Sequence, residues 1–201
     1  MCNAFRVLCV TNRLLCRGGF LEQIEKLAKA QPKGIILREK DLSAREYKEL
    51  AEAVMEICER HGTPCILHSF ADIAIELGAA ALHLPLPVLR ELPSDKRSGF
   101  TVLGASCHSV EEAREAQGLG CTYITAGHVF DTDCKKGLAG RGLDFLKQVC
   151  DSVTVPVYAI GGISEKNAGQ TINAGARGVC VMSGAMICAD PQEYLEKFKV
   201  I

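Results

Sequence analysis

The sequence predicts a single (β/α)8 barrel, and three observations carry the prediction. Short β-branched runs alternate with helical patterns from end to end, there are eight such runs, and 201 residues lies near the lower size limit of the fold. An open doubly wound parallel sheet is the alternative that the same alternation allows. No linker, low-complexity tract or second composition zone divides the chain.

The elements follow in order. Strand one is Arg6-Val-Leu-Cys-Val-Thr11 and strand two is Gly34-Ile-Ile-Leu-Arg38. The helix after strand two opens at Ser43-Ala-Arg-Glu46, where serine and a glutamate three residues on can satisfy each other's backbone N–H in a capping box. Strand three is Pro64-Cys-Ile-Leu-His68, and the helix after it closes at Glu76-Leu-Gly78, the glycine supplying a left-handed residue. Strand four is Ala81-Leu-His-Leu84, and Pro85, Pro87 and Pro93 behind it leave room only for a short helix. Strand five, Thr101-Val-Leu-Gly-Ala-Ser106, leads to a second capping box at Ser109-Val-Glu-Glu112 and a helix ending at Gly118-Leu-Gly120. Strands six, seven and eight are Tyr123-Ile-Thr-Ala126, Val155-Pro-Val-Tyr-Ala-Ile160 and Gly178-Val-Cys-Val-Met182. Ser164 before Glu165 is expected to cap the seventh helix, which ends through Gly175.

Composition excludes several functions. A net charge of −1 without runs of lysine or arginine provides no long-range attraction for nucleic acid or an anionic membrane. The start Met1-Cys-Asn-Ala-Phe-Arg6 lacks the basic-then-apolar order of a signal peptide, and no apolar stretch reaches membrane-spanning length, so a soluble cytoplasmic protein is expected. The eleven cysteines are scattered without a Cys-x-x-Cys pair, which argues for reduced structural thiols and against zinc. Cys134 is the exception to watch, because Lys135 and Lys136 beside it favour a thiolate.

Chemistry is expected where strand six runs out into Gly127-His-Val-Phe-Asp-Thr-Asp-Cys-Lys-Lys-Gly137, since parallel α/β proteins place their sites at the carboxyl ends of strands. His128 is the candidate catalytic residue, because an imidazole exchanges protons near neutral pH without special tuning. Gly161 and Gly162 after strand seven, with Ser183 and Gly184 after strand eight, present bare backbone at the positions where such barrels bind phosphate. Arg38 and Lys40 after strand two suit a second anionic group; a salt-bridged rim is the bland reading of Arg38-Glu-Lys-Asp41. A small phosphorylated acid is the substrate class that follows. Of the other histidines, His61 is read as a surface residue at a helix end, His108 as structural, and His68 and His83 as pocket-lining or hydrogen-bonded core.

These residues resemble a known superfamily. Arg38-Glu-Lys-Asp41, Gly104-Ala-Ser-Cys-His-Ser109, Gly127-His-Val-Phe130, Ala159-Ile-Gly-Gly-Ile163 and Val181-Met-Ser-Gly184 together resemble thiamine-phosphate synthase and its paralogue, the thiazole tautomerase, over nearly the whole chain. The synthase branch joins a pyrimidine diphosphate to a thiazole phosphate and holds Mg²⁺ with two aspartates. Here the corresponding stretches read His68-Ser69-Phe70 and His83-Leu-Pro-Leu-Pro-Val88, without those carboxylates, and Asp72 falls in the following helix. The loop Thr132-Asp-Cys-Lys-Lys-Gly-Leu138 through Gly140-Arg-Gly142 is similar to the tautomerase pattern almost residue for residue.

By that resemblance His128 would move a proton in a phosphorylated carboxythiazole, the product of thiazole synthase, with no metal or redox cofactor. Arg38, with Lys40 or Ser106, would meet the carboxylate, and Thr132 and Lys135 match substrate-contacting loop positions. The synthase reading, which requires Mg²⁺, stands as the alternative. A non-catalytic barrel that binds thiazole phosphate for regulation is a third reading. Barrels of this kind often pair through their rims, so a homodimer is compatible with the chain, and thiazole synthase is the implied functional neighbour. The glycine-rich stretch from Gly137 to Gly142 is the expected lid.

Overall fold

The computed structural model describes residues 6–132 and 137–199. Eight parallel strands pair in chain order as a closed barrel. They are β1 (Val7–Val10), β2 (Gly34–Leu37), β3 (Cys65–His68), β4 (Ala81–Pro85), β5 (Val102–Cys107), β6 (Tyr123–Gly127), β7 (Val157–Ile160) and β8 (Gly178–Val181). All eight fall on the runs that the sequence marked.

The helices are α1 (Phe20–Lys29), α2 (Ala44–His61), α3 (Ala71–Glu76), α4 (Leu86–Glu91), α5 (Ser94–Arg97), α6 (Val110–Gly118), α7 (Gly142–Ser152), α8 (Ala168–Asn173), α9 (Ser183–Ile187) and α10 (Pro191–Glu196). The prolines of the fourth unit do confine it to the short α4 and α5. The chain divides into two compact units, one ending at Leu82 and resuming at Val181, the other His83–Cys180.

In the first unit, β1 and β2 are buried throughout, and α2 packs against α1 and β3 with an apolar stripe. Tyr47, Ala51, Val54, Ile57 and Cys58 are its buried residues, at the three- and four-residue spacing of one helix face. Full burial of side chains such as Val54 and Ile57 contributes roughly 1.5–3 kcal/mol each. Ser43 and Glu46 form the reciprocal capping box, and Gly62 closes α2 in the left-handed region at φ 65°. Tyr47 also reaches past the apolar layer. Its hydroxyl donates to Leu37 O at 2.7 Å and accepts from His68 N at 2.8 Å, tying the ends of β2 and β3.

In the second unit, β5, β6 and β7 form consecutive ladders in which Ser106 pairs with Thr125 and Gly127 with Ile160. Two expected caps differ. Ser109 accepts from Glu112 N at 3.1 Å, but the Glu112 carboxylate turns to His108 N at 2.5 Å, so the box is only half formed. Ser164 does not start the helix after β7, α8, which begins at Ala168. The side chain of Asn167 is the reason: it accepts from Ser164 N and donates to Gly162 O, both at 2.8 Å, and holds 162–167 as turns.

Candidate functional site

The second unit assembles a site around the end of β6. Beyond Gly127 the chain keeps running beside β7, with Val129 N donating to Ile160 O at 2.9 Å and Phe130 N to Gly161 O at 3.0 Å. On its other side Arg141 N donates to His128 O and Gly142 N to Val129 O, both at 2.9 Å. The backbone of His128 is thereby held between two segments.

The His128 side chain is 6% exposed. Its Nε2 lies 3.3 Å from the carbonyl oxygen of Leu138, which can only accept, so in the neutral ring Nε2 carries the proton. Nδ1 keeps its lone pair and, among the described residues, has no hydrogen-bond partner although it is buried. An orphaned buried nitrogen in a strand-end site asks for a ligand or a chemical role. Asp131 does not orient this ring: its Oδ1 accepts from Gly140 N at 2.7 Å and so pins the expected lid instead. His108 serves a structural role, its Nδ1 donating to Gly127 O at 2.7 Å just before His128.

Gly161 and Gly162 adopt φ 95° and 67°. A Cβ at 161 would overlap the Cα and Cβ of His128, and one at 162 would lie 2.7 Å from the Cβ of Phe130. Close backbone packing by itself therefore requires both glycines, whether or not a phosphate approaches them. Among the described residues nothing accepts from the amides of Gly161, Gly162 and Ile163, so three N–H groups remain for an anion.

Ser106 stands at the end of β5, half-buried, within 2.9 Å of His83 Nε2 and 3.3 Å of Thr125 Oγ1. Nδ1 of His83 meets the hydroxyl of Tyr123 at 2.8 Å. Burial pushes the His83 pKa down to about 3, so this ring is neutral. Thr132 is the last described residue before the segment containing Lys135 and Cys134, both of which lie outside the described residues.

The remaining predicted residues belong to the first unit. The bland salt-bridged reading of the β2 end is half right, with a partner that the sequence did not reveal. Glu39, 2% exposed, accepts from the Thr11 hydroxyl at 2.6 Å and from Arg13 N at 3.0 and 3.1 Å. The Arg13 guanidinium reaches Glu39 at 3.3 Å and grips Asp41 with two contacts of 2.6 Å. Arg38 N donates to Thr11 Oγ1 at 2.9 Å, and Lys40 is exposed. Ser183 is exposed at the first residue of α9, and Gly184 is small because a Cβ there would meet the Tyr194 ring. His61, at the end of α2, pairs with the Glu25 carboxylate.

The residues do not fit Mg²⁺. That ion needs hard oxygen ligands in near-octahedral arrangement, and β3 ends in His68 and Ser69 while β4 ends in Pro85 and Leu86. Asp72 lies in α3. Among the described residues no three metal-ligating side chains are grouped.

The closed parallel barrel, with a histidine, serine and glycines at its strand ends, defines a (β/α)8 protein. The chain belongs to the TMP-TENI family, described as thiamine monophosphate synthase, which matches residues 7–185. It is 34% identical over 197 residues to a thiamine-phosphate synthase of Fusobacterium nucleatum, spanning 95% of this chain and 94% of that one. It is 32% identical over 204 residues to the thiamine-phosphate synthase of Syntrophomonas wolfei, spanning 98% and 96%. The structure of a thiamine phosphate pyrophosphorylase from Pyrococcus furiosus superposes with a TM-score of 0.83 at 27% identity, covering 98% of this chain and 95% of that one. These matches establish a thiamine-biosynthetic enzyme family without singling out its tautomerase branch. No helix of the described residues is long and apolar enough to cross a membrane.

Proposed function

We propose that this chain is a thiazole tautomerase, which aromatises a phosphorylated carboxythiazole by a proton shift and uses neither metal nor redox cofactor. The observation that carries the reading is the buried, unpartnered Nδ1 of His128 at the end of β6. Support also comes from the absence of carboxylates where the synthase would hold Mg²⁺.

In this mechanism Nδ1 takes the proton from ring carbon two. The electron pair of that C–H bond becomes a ring C=N bond, the ring's existing C=N pair moves to the next ring bond, the exocyclic double bond opens, and its carbon takes the proton back from Nδ1. Nothing is consumed, and aromaticity drives the step. Positioned proton transfer of this kind contributes about 10²–10⁴-fold, which suffices for a downhill reaction. Leu138 O would hold the ring through Nε2 during both transfers. The free amides at Gly161 and Gly162 would bind the phosphate, and Ser106 an anionic oxygen of the substrate. Arg38, Lys40, Thr132, Lys135, Ser183 and Gly184 keep their assignment to substrate binding on the sequence reading. Nδ1 is covered in this arrangement, so the segment around Leu138 would open for ligand entry.

The names of the relatives favour a second reading, a thiamine-phosphate synthase working without the usual pair of aspartates. One experiment separates the two. Incubation with the thiazole synthase product in D₂O and EDTA should give fast aromatisation with deuterium entering the exocyclic methylene, lost in His128→Gln. No acceleration, together with Mg²⁺-dependent joining of pyrimidine diphosphate to thiazole phosphate, would establish the synthase instead.

A further inference from the structure

Behind Ser106 lies a chain of hydrogen bonds for which the proton shift has no use. Tyr123 Oη is 2.8 Å from His83 Nδ1, His83 Nε2 is 2.9 Å from Ser106 Oγ, and Thr125 Oγ1 is 3.3 Å from the same oxygen. Tyr123, His83 and Thr125 are 5%, 2% and 2% exposed, whereas Ser106 is half-buried. Only Ser106 can reach a ligand.

Proton counting gives the chain a direction. A neutral imidazole has one N–H and one lone pair, and burial keeps His83 neutral. Among the described residues, His83 Nδ1 is the one acceptor that the Tyr123 hydroxyl reaches. Were the His83 proton on Nδ1, the phenolic proton would be left buried without an acceptor, the costly outcome for a polar group. The phenol therefore donates to Nδ1, and Nε2–H points at Ser106 Oγ. The same reasoning applies to Thr125, whose buried hydroxyl has Ser106 Oγ as its acceptor. Ser106 Oγ then accepts twice, and its own proton is free to point away from the chain.

We propose that Tyr123, His83 and Thr125 are positioning residues that make Ser106 an obligate hydrogen-bond donor to an anionic oxygen of the bound substrate. The identity of that anion, a carboxylate, rests on the proposed function; the direction of the chain does not. Gly104 supports the assignment from outside the hydrogen bonds. A Cβ at 104 would lie 2.6 Å from His83 Nδ1 and inside the Tyr123 ring, so the backbone is kept bare where the first link passes.

Two measurements on the full chain test this. ¹⁵N NMR of histidine-labelled, ligand-free protein should show His83 as the Nε2–H tautomer, with Nδ1 as an acceptor; the Nδ1–H tautomer overturns the proposal. Binding of the aromatic carboxythiazole phosphate should weaken about tenfold or more in Ser106→Ala, the scale of one hydrogen bond to a charged group. Tyr123→Phe should weaken it severalfold in the wild-type background and by less than about twofold in the Ser106→Ala background, the coupling expected of residues in one network. Equal losses in both backgrounds would make Tyr123 a packing residue and overturn the proposal. If wild type does not bind this probe, the functional reading falls, and the tautomer measurement decides the hydrogen-bond chain alone.

Discussion

Gly161 lies so close to His128 that a Cβ at position 161 would overlap both the Cα and the Cβ of the histidine. The phosphate-type turn after β7 and the candidate base after β6 are thus one packed unit. Gly161→Ala combines this overlap with a positive φ of 95°. Its destabilisation should be roughly 1–3 kcal/mol, and displacement of His128 by about an ångström should reduce turnover about 10²-fold. Steady-state kinetics alongside urea denaturation read both, and unchanged kcat in a folded variant would show that His128 is not positioned from 161.

Two acidic residues on either side of Lys40 should behave differently. Glu39 is buried and receives the Thr11 hydroxyl and the Arg13 backbone, so Glu39→Gln places an amide against donors and should cost about 1.5–3 kcal/mol. Asp41, half exposed, meets only a guanidinium at the surface, and Asp41→Asn should cost under about 1 kcal/mol. Urea midpoints of the two variants decide this. Equal losses would remove Glu39 from its role as the tie between β1 and β2.

Stability should fall with acid through His83. Its folded pKa is depressed to about 3 from 6.5, so the unfolded chain takes up a proton that the folded chain refuses. The contribution is complete above the unfolded value and is lost as pH falls from about 6.5 towards about 3, with a slope of about 1.4 kcal/mol per pH unit. Between pH 7 and 5 this amounts to about 2 kcal/mol. His83→Asn starts less stable but should lack this part of the slope. Denaturation at pH 7, 6 and 5 compares the slopes, and parallel curves would contradict a buried neutral His83.

The thiols offer a simpler check. Burial raises Cys9 strongly and pushes Cys107 and Cys121 up to about 12. All three should resist a thiol-specific disulfide reagent at pH 8 in the native protein and react fully in denaturant. Mass mapping of the modified cysteines reads the outcome, and rapid native labelling of Cys107 or Cys121 would count against their burial.

Much of this architecture was legible in the residues. Strand positions, the capping box at Ser43 and the left-handed glycines Gly78, Gly120 and Gly175 depend on neighbours within a few positions, so local patterning determined them. Ser164 misled because the side chain of Asn167, three residues on, accepts from Ser164 N and holds a turn there, so the helix starts only at Ala168. The role of Arg13 was illegible, since its partners Glu39 and Asp41 lie 26 and 28 residues away. The glycine pair at 161 and 162 was legible as bare backbone, but its tightest packing, against the His128 Cβ and the Asp131 carbonyl oxygen, involves a segment that no single stretch of sequence reveals.

By itself, then, the sequence determined the eight-unit barrel, its strand ends and His128 as the group to watch, because periodicity and turn chemistry are short-range. Only the tertiary structure decided that His128 Nδ1 is buried and unpartnered, that Glu39 binds Arg13, and that Tyr123 and His83 stand behind Ser106. Those relationships depend on the register between strands and on which side chains lose access to water. Once water is excluded, each buried polar group must find its partner within the fold.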